Sequence, residues 1–400
     1  MTKKLYYDSA YISEWESEIT QRLERDGRKL VVLEETAFYP DGGGQPCDTG
    51  TLNGIPVLEV FSEGDTVFHE VERLPEETIA VCKLDWSRRW DHMQHHSGQH
   101  LLSAVILRLL DAKTVSFHLG QEDCTIDVEL PELTREQMEA VEQEVNTEIY
   151  RNRVISSYFV TEEQLRNITL VKQPKVTEHI RIVEIEGIEH NACGGTHVSR
   201  TGELGLIKLL KTDRQKGNTR IYFRCGARAL RDYNESLRIL EVVAGKFNTG
   251  RHDIVDRFEK WEQEQARLRT RVDELQQRLD EYEMKELLAA AEGPVLVHVF
   301  ADKPAKELQS FAAKLTGGRD ILVLLATEAD NKLLLAHNGS PSVACGVFFK
   351  QHLSTFGGKG GGNNQSAQAG FASAEDMRRF IEFARQELNH AAAPDAPHTS

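Results

Sequence analysis

No apolar run in the sequence approaches the ~18 to 20 residues that cross a bilayer, which excludes a transmembrane helix. Cysteine is sparse: six in 400 residues, Cys47, Cys82, Cys124, Cys193, Cys225 and Cys345, each standing alone. That is the usage of a reducing compartment rather than of a disulfide scaffold, so a cysteine with a role here is a ligand or a nucleophile. The opening MTKKLYYDSAYISEW has two lysines but no apolar stretch after them and no small-residue cleavage site. No secretory leader is therefore expected, and a cytoplasmic location follows. Positive charge is in deficit, 48 basic against 63 acidic residues for a net −15, which argues against a nonspecific nucleic-acid coat but not against a local basic face. The glycine-rich stretches lack the Lys-Ser/Thr of a phosphate-binding P-loop, and no H-E-x-x-H string is present, which disfavours NTP binding and a zincin protease.

What is present is a globular composition, 40% hydrophobic and 28% charged, over a length that suggests two to three domains. Charge is unevenly placed. Residues 121–150 hold ten carboxylates and one base, Arg135, whereas 201–250 hold ten bases against five acids. Two readings stand: oppositely charged solvated faces, or a basic stretch that meets phosphates. The first 85 residues alternate short apolar strands with turn signals and read as a β-rich unit. At Asp85-Trp86 the period changes, and Met93, His96, His100, Leu101, Ala104, Leu107 and Leu110 fall at helical spacings, so a helix starts near residue 87. Thr134 is placed to cap a second helix. Strands are expected over VKQPKV, IRIVEIEGI, GLIKLLKT and TRIYFRCG, the last two joined by a basic turn with Lys211, Arg214, Lys216 and Arg220. Ile254, Phe258, Trp261, Leu268, Val272, Leu275, Leu279 and Tyr282 form a heptad seam, interrupted by Gln265, that predicts a helical hairpin arm or coiled coil. Gly293-Pro294 stops it, and alternating strands and helices then predict an α/β domain.

The residues with chemistry come in two split pairs. His96-Ser97-Gly98-Gln99-His100 stacks two imidazoles one helical turn apart, and Cys193-Gly194-Gly195-Thr196-His197 offers a thiolate and an imidazole on a loop that glycines make tight. Together they are three neutral imidazoles and one thiolate, a tetrahedral set for one Zn²⁺ with net charge +1. A closed structural site and a catalytic one with an exchangeable position both fit this set. His95 points elsewhere on the helix and is expected to be exposed or to support a ligand. The glycines of FYPDGGGQP, among them Gly43 and Gly44, would let backbone amides approach a ligand or simply form a hairpin turn. GGKGGGNN, with Lys359 among its glycines, reads as a loop able to embrace a phosphate or nucleoside. No Ser-His-Asp set is identifiable, and a cysteine that ligates zinc is a poor nucleophile, so water is the expected attacker in any hydrolysis.

The ordered motifs TAFYPDGGGQPCDTG, HSGQHLL, IEGIEHNACGGTHV, TGELGLIKLL and RIYFRCG resemble the editing domain of alanyl-tRNA synthetase and its free-standing AlaX relatives, over residues 1 to about 230. The heptad arm and GGKGGGNNQSAQAG resemble that synthetase's carboxy-terminal, DHH-associated region. The resemblance implies an α+β protein: a small β-barrel-like unit (1–86), a zinc-containing editing domain (87–235), a helical coiled-coil arm (236–292), an α/β domain (293–390) and a disordered tail (391–400), with no aminoacylation core. It implies trans-editing, hydrolysis of serine, with glycine as a second candidate, from mischarged tRNA(Ala), which a small activation pocket cannot reject by binding alone. It further implies one Zn²⁺ held by His96, His100, Cys193 and His197, a seryl-hydroxyl contact from Thr36 and a pocket role for Gln45. Lys211, Arg214, Lys216 and Arg220 would hold the acceptor stem, Lys359 the tRNA body, and the arm could join two chains as a homodimer. The alternatives are a non-catalytic tRNA-binding or dimerising module with a structural zinc, and a metallohydrolase of free esters or amides.

Overall fold

A computed structural model describes residues 1–171, 180–291 and 293–392. The strand expected over VKQPKV lies, apart from Val171, outside the described residues. The chain divides into two compact units, Met1–Arg251 and His252–Ser400.

The N-terminal part of the first unit is built on six strands, β1 (Glu14–Arg25), β2 (Arg28–Leu33), β3 (Gly50–Leu52), β4 (Ile55–Glu63), β5 (Thr66–Val71) and β6 (Ile79–Leu84). They close into a barrel in the order β1-β2-β5-β4-β3-β6. Alternation drives this: in β6 every second residue is buried, so Ala80, Cys82 and Leu84 face a core shared with Val31, Leu33, Leu52 and Val60. Asp85 then caps helix α1 (Trp86–Leu110), its side chain accepting from the Arg88 amide. The barrel is bolted to α1 by a fully buried pair, Arg89 with Asp48, and Arg89 also donates to the carbonyls of Ala10 and Ala37.

Two sheets pack around α1. Strands β7 (Thr114–Leu119) and β8 (Cys124–Val128) precede helix α2 (Arg135–Tyr150), whose start is a capping box of Thr134 and Gln137. Strands β9 (Ile155–Val160), β10 (Ile180–Ile185) and β11 (Glu189–Ala192) form a three-stranded sheet, while β12 (Ile207–Gln215) and β13 (Asn218–Cys225) complete a four-stranded one in the order β12-β13-β8-β7. Helix α1 lies close on this sheet because Gly98 has no side chain; a Cβ there would sit 2.5 Å from Cys225 Sγ. Of the two expectations for His95, exposure is not met. The ring is fully buried, accepting from the Cys225 amide at Nε2 (3.0 Å) and facing the Asp91 carbonyl at Nδ1. Helix α3 (Gly226–Lys246) follows and runs unbroken across position 236, where the sequence reading put a domain boundary.

Antiparallel pairing also changes the charge picture. Because β8 pairs with β13, Asp127 stands opposite Arg220 and binds it through both oxygens (2.7 and 2.9 Å). Arg214 pairs with Glu132 and Lys208 with Glu142. The acidic and basic segments are thus partly each other's partners rather than two separate solvated faces.

The second unit opens with α4 (Ile254–Ala289), one helix of 36 residues along which Leu268, Val272, Leu275, Leu279 and Tyr282 remain exposed. Strands β14 (Val295–Phe300), β15 (Leu322–Thr327) and β16 (Lys332–Ala336), helices α5 (Ala305–Thr316) and α6 (Cys345–His352), strands β17 (Lys359–Gly362) and β18 (Ser366–Gly370) and helix α7 (Ala374–Ala392) follow. The sheet order is β14-β15-β16-β18-β17, with only the β14 and β15 pair parallel. GGKGGGNN is therefore not a loop: Lys359–Gly362 is the edge strand β17. Its glycines are needed for packing, since a Cβ on Gly362 would lie 2.2 Å from the Ser366 carbonyl oxygen. No described helix is long and apolar enough to cross a membrane.

Candidate metal centre

The helical stripe on α1 and the loop after β11 meet. The donor atoms of His96, His100, Cys193 and His197 all lie within 4.8 Å of one another, with Cys193 Sγ 3.4 Å from His96 Nε2 and 3.3 Å from His197 Nε2. Tetrahedral zinc, with bonds of about 2.3 Å to sulfur and 2.0 Å to nitrogen, needs donors roughly 3.5 Å apart, so the set fits. Gly195 makes the approach feasible, because a Cβ there would fall 2.2 Å from the His96 ring. Buried Arg181 holds the loop in shape, its guanidinium donating to the Cys193 and Gly195 carbonyls, both at 2.9 Å.

Each imidazole is aimed by a partner on its far nitrogen. His96 Nδ1 donates to Gln45 Oε1 (2.9 Å), His100 Nδ1 to Glu189 Oε1 (3.1 Å) and His197 Nδ1 to Ser97 Oγ (3.1 Å). All three partners are buried, and the bonds leave each Nε2 free to ligate. Gln45 is further fixed by Thr196, donating to its hydroxyl and accepting from its amide.

The electrostatics favour a cation. Burial opposes a charged sulfur, but the imidazoles of His96 and His197 and a hydrogen bond to His100 outweigh it, so the Cys193 thiol lies well below the ordinary thiol range. Burial likewise works against a charged His100, yet its contacts with Cys193 and Glu189 push it up to about 10. Burial pushes His197 down to about 3. A thiolate and the Glu189 carboxylate thus hold a proton where a divalent ion would otherwise satisfy them.

The cluster opens on a cleft of about 300 Å³ lined by Gly43, Gly44, His96, His100, Glu189 and Cys193, among others. Gly43 and Gly44 have φ of +61° and +86°, the left-handed region where glycine is at ease. Gln45 is fully buried behind His96, and it does not line the cleft. Thr36 is fully buried in the barrel half, off the cleft wall. Its Oγ1 lies 2.8 Å from His69 Nε2 and accepts from the Phe38 amide. Since His69 Nδ1 faces the Val31 carbonyl, Thr36 is the donor to Nε2. Lys211 pairs with Asp213, while Lys216, at the β12 to β13 turn, is exposed and makes no ion pair among the described residues. Lys359 is exposed on β17. Ser97, Glu189 and Arg181 were not singled out in the sequence; Ser97, inside H-S-G-Q-H, carried the one available hint.

The family model described as "Threonyl and Alanyl tRNA synthetase second additional domain" matches residues 180–222, and one described as "DHHA1 domain" matches residues 292–390. The chain is 32% identical over 388 residues to the alanyl-tRNA editing protein AlaX-L of Pyrococcus horikoshii, covering 92% of this chain and 94% of that one. It is 36% identical over 273 residues to the alanyl-tRNA editing protein Aarsd1 of Danio rerio, 66% of each chain. Against the alanine--tRNA ligase of Pyrococcus furiosus identity is 29% over 405 residues, covering 97% of this chain but 44% of the ligase. Similarity to AlaX-L along nearly the whole of both sequences makes this chain a member of the AlaX-type alanyl-tRNA editing proteins.

Proposed function

We propose that the protein is a trans-editing hydrolase that removes serine, with glycine as a second substrate, from mischarged tRNA(Ala) in the cytoplasm. The observation that carries the reading is a cluster of four metal donors, three of which, His96, His100 and Cys193, stand on the wall of an open cleft, with Cys193 only half-buried, in a chain similar to proteins named for alanyl-tRNA editing.

His96, His100, Cys193 and His197 would hold one ion, zinc by the softness of the donors, and the ion would supply positive charge able to polarise a carbonyl or acidify water. The protein's own part is positional. Gln45, Glu189 and Ser97 lock the imidazoles, so the cleft does not reorganise when substrate arrives. The amides of Gly43 and Gly44 make no hydrogen bond among the described residues and stand on the cleft wall, suited to receive the negative oxygen that develops as water adds to the ester. Water then contributes the hydroxyl to the released amino acid as the bond to the ribose oxygen breaks, and that oxygen takes up water's other proton. Cys193, engaged as a ligand, is a poor nucleophile for an acyl-enzyme.

Exposed Lys216 and Lys359 are suited to phosphate contacts. Arg214 sits in an exposed pair worth little and can exchange it for a phosphate, whereas Arg220 is committed to Asp127. The exposed seam on α4 supports a homodimer, which sedimentation would read directly. The deciding experiment is deacylation of seryl-, glycyl- and alanyl-tRNA(Ala) with and without chelator. The reading requires serine release that chelation and Cys193→Ala abolish. Tight tRNA binding without hydrolysis, and unfolding on chelation, would instead assign a structural zinc in a binding module. Equal activity on a seryl ester lacking RNA would point to a general metallohydrolase.

A further inference from the structure

The larger cavity of the first unit, about 590 Å³, is not the metal cleft. It lies beside the N-terminal half of α1, lined by Trp86, Trp90, His92, Gln94, Arg88 and Arg231 among others. Gly44 packs so tightly on Phe117 that a Cβ would lie 3.1 Å from the ring. Gly43, Gly44 and Phe117 line the metal cleft, whereas Pro46 and Leu119, two residues further on, line this cavity. Six residues of helix, about 9 Å along the axis, carry Trp90 to His96. A short single strand can span that distance.

The wall chemistry is specific. Three arginines face two carboxylates here, in a chain whose net charge is −15. Arg228 is taken by Asp91 and the Gly120 carbonyl. Arg88 donates only to a carbonyl, that of Cys47, and Arg231 is exposed; neither has a carboxylate partner among the described residues. Two half-buried tryptophans stand beside these cations. His92, 3% exposed, and Gln94, 6% exposed, each keep one buried atom, Nδ1 and Oε1, without a hydrogen-bond partner. An orphaned buried polar atom costs about 1–3 kcal/mol, a cost that a ligand's donors and acceptors would offset. Burial pushes His92 down to about 3, so at neutral pH it is an uncharged ring with one donor and one acceptor, the complement of a base edge. Aromatic faces, unpaired cations and base-edge partners together are the equipment of a single-stranded nucleic-acid site.

We infer that this cavity receives a nucleotide of the single-stranded acceptor end of tRNA, with its base against Trp90 and its phosphate toward Arg88 and Arg231, while the esterified terminus lies in the metal cleft. The inference rests on the editing function proposed above and adds to it where the strand runs.

The test uses the full chain, single-turnover deacylation of Ser-tRNA(Ala), and 3′-seryl-adenosine as a substrate without the preceding nucleotides. In Trp90→Leu and Arg231→Glu the half-saturating tRNA concentration should rise about tenfold, with the maximal rate held within about twofold. Hydrolysis of seryl-adenosine should be unchanged, and Arg231→Glu should flatten the salt dependence of tRNA binding by about one phosphate contact. Unchanged half-saturation in both variants, or equal damage to seryl-adenosine hydrolysis, overturns the inference. AMP that quenches tryptophan fluorescence and is not displaced by tRNA assigns the cavity to a free nucleotide and also overturns it. Trp90 touches the core, so Arg231→Glu, at an exposed position, carries the result if Trp90→Leu fails to fold. If the wild-type chain hydrolyses neither substrate, the editing function fails separately. Binding of uncharged tRNA then decides: about tenfold weaker in the variants upholds the site, equal affinity removes it.

Discussion

Gln45 and His96 are 51 positions apart in the chain, yet the Gln45 side-chain oxygen receives the His96 Nδ1 proton at 2.9 Å in a fully buried contact. This bond fixes the tautomer of His96 and turns Nε2 toward Cys193. Replacing Gln45 with Leu leaves the Thr196 hydroxyl and amide without their partner and frees the ring to rotate. Metal affinity, measured by competition with a chromogenic chelator, should fall about 10- to 100-fold. Unchanged affinity would mean that the four donors alone set the site.

Gly195 is the most demanding backbone position of the centre. A methyl group there would come within 2.2 Å of His96 Cε1 and 2.4 Å of its Nδ1, and the ring cannot retreat because Gln45 lies behind it. Gly195→Ala should therefore lose bound metal and hydrolysis together while the barrel, built from other strands, remains folded. Elemental analysis beside circular dichroism checks this. Full metal content in a folded Gly195→Ala protein would contradict the described approach of loop and helix.

The two ligand pairs were legible in the sequence because each is local, one a helical i, i+4 repeat and the other a glycine-tightened loop. Their supports were less so: resemblance gave Gln45 a pocket role rather than its hold on His96, and Glu189 and Arg181 come from elements whose contact depends on tertiary assembly. The barrel strands and the Thr134 cap were readable from alternation and from capping chemistry. Within the basic turn, the pairing of Arg220 was hidden for a different reason. Only the register that sets Arg220 opposite Asp127 reveals that its charge is already matched, and register is a property of pairing, not of either strand alone. GGKGGGNN looked like a loop because glycine has little strand preference. As β17 it is held by its partner β18, and close packing admits no side chain at Gly360 or Gly362.

Stability should carry an acid-labile component from His69. Burial pushes this imidazole down from 6.5 to about 4. Above pH 6.5 neither the folded nor the unfolded chain protonates it, and its contribution is intact. As pH falls below 6.5 the unfolded chain takes up a proton that the folded one refuses, so stability declines until about pH 4 and then levels off. The loss amounts to about 3 kcal/mol over that window. Urea unfolding at several pH values between 7.5 and 4 should show a shallower pH slope for His69→Asn than for the wild type; parallel slopes would rule His69 out as the source.

Thr36 separates resemblance from geometry most sharply. The likeness to editing domains gives it the seryl hydroxyl to read, whereas its own hydroxyl is buried, donating to His69 and accepting from the Phe38 amide. To read serine, Thr36 must exchange one of those bonds for the substrate, and glycine, lacking a hydroxyl, would gain nothing from the exchange. Thr36→Val keeps the shape and removes the exchange. The ratio of kcat/KM for seryl- over glycyl-tRNA(Ala) should therefore fall by about tenfold, the worth of one hydrogen bond of roughly 1.4 kcal/mol. An equal drop on both substrates, accompanied by lower stability, would confine Thr36 to supporting His69 and move serine recognition to the residues that line the cleft.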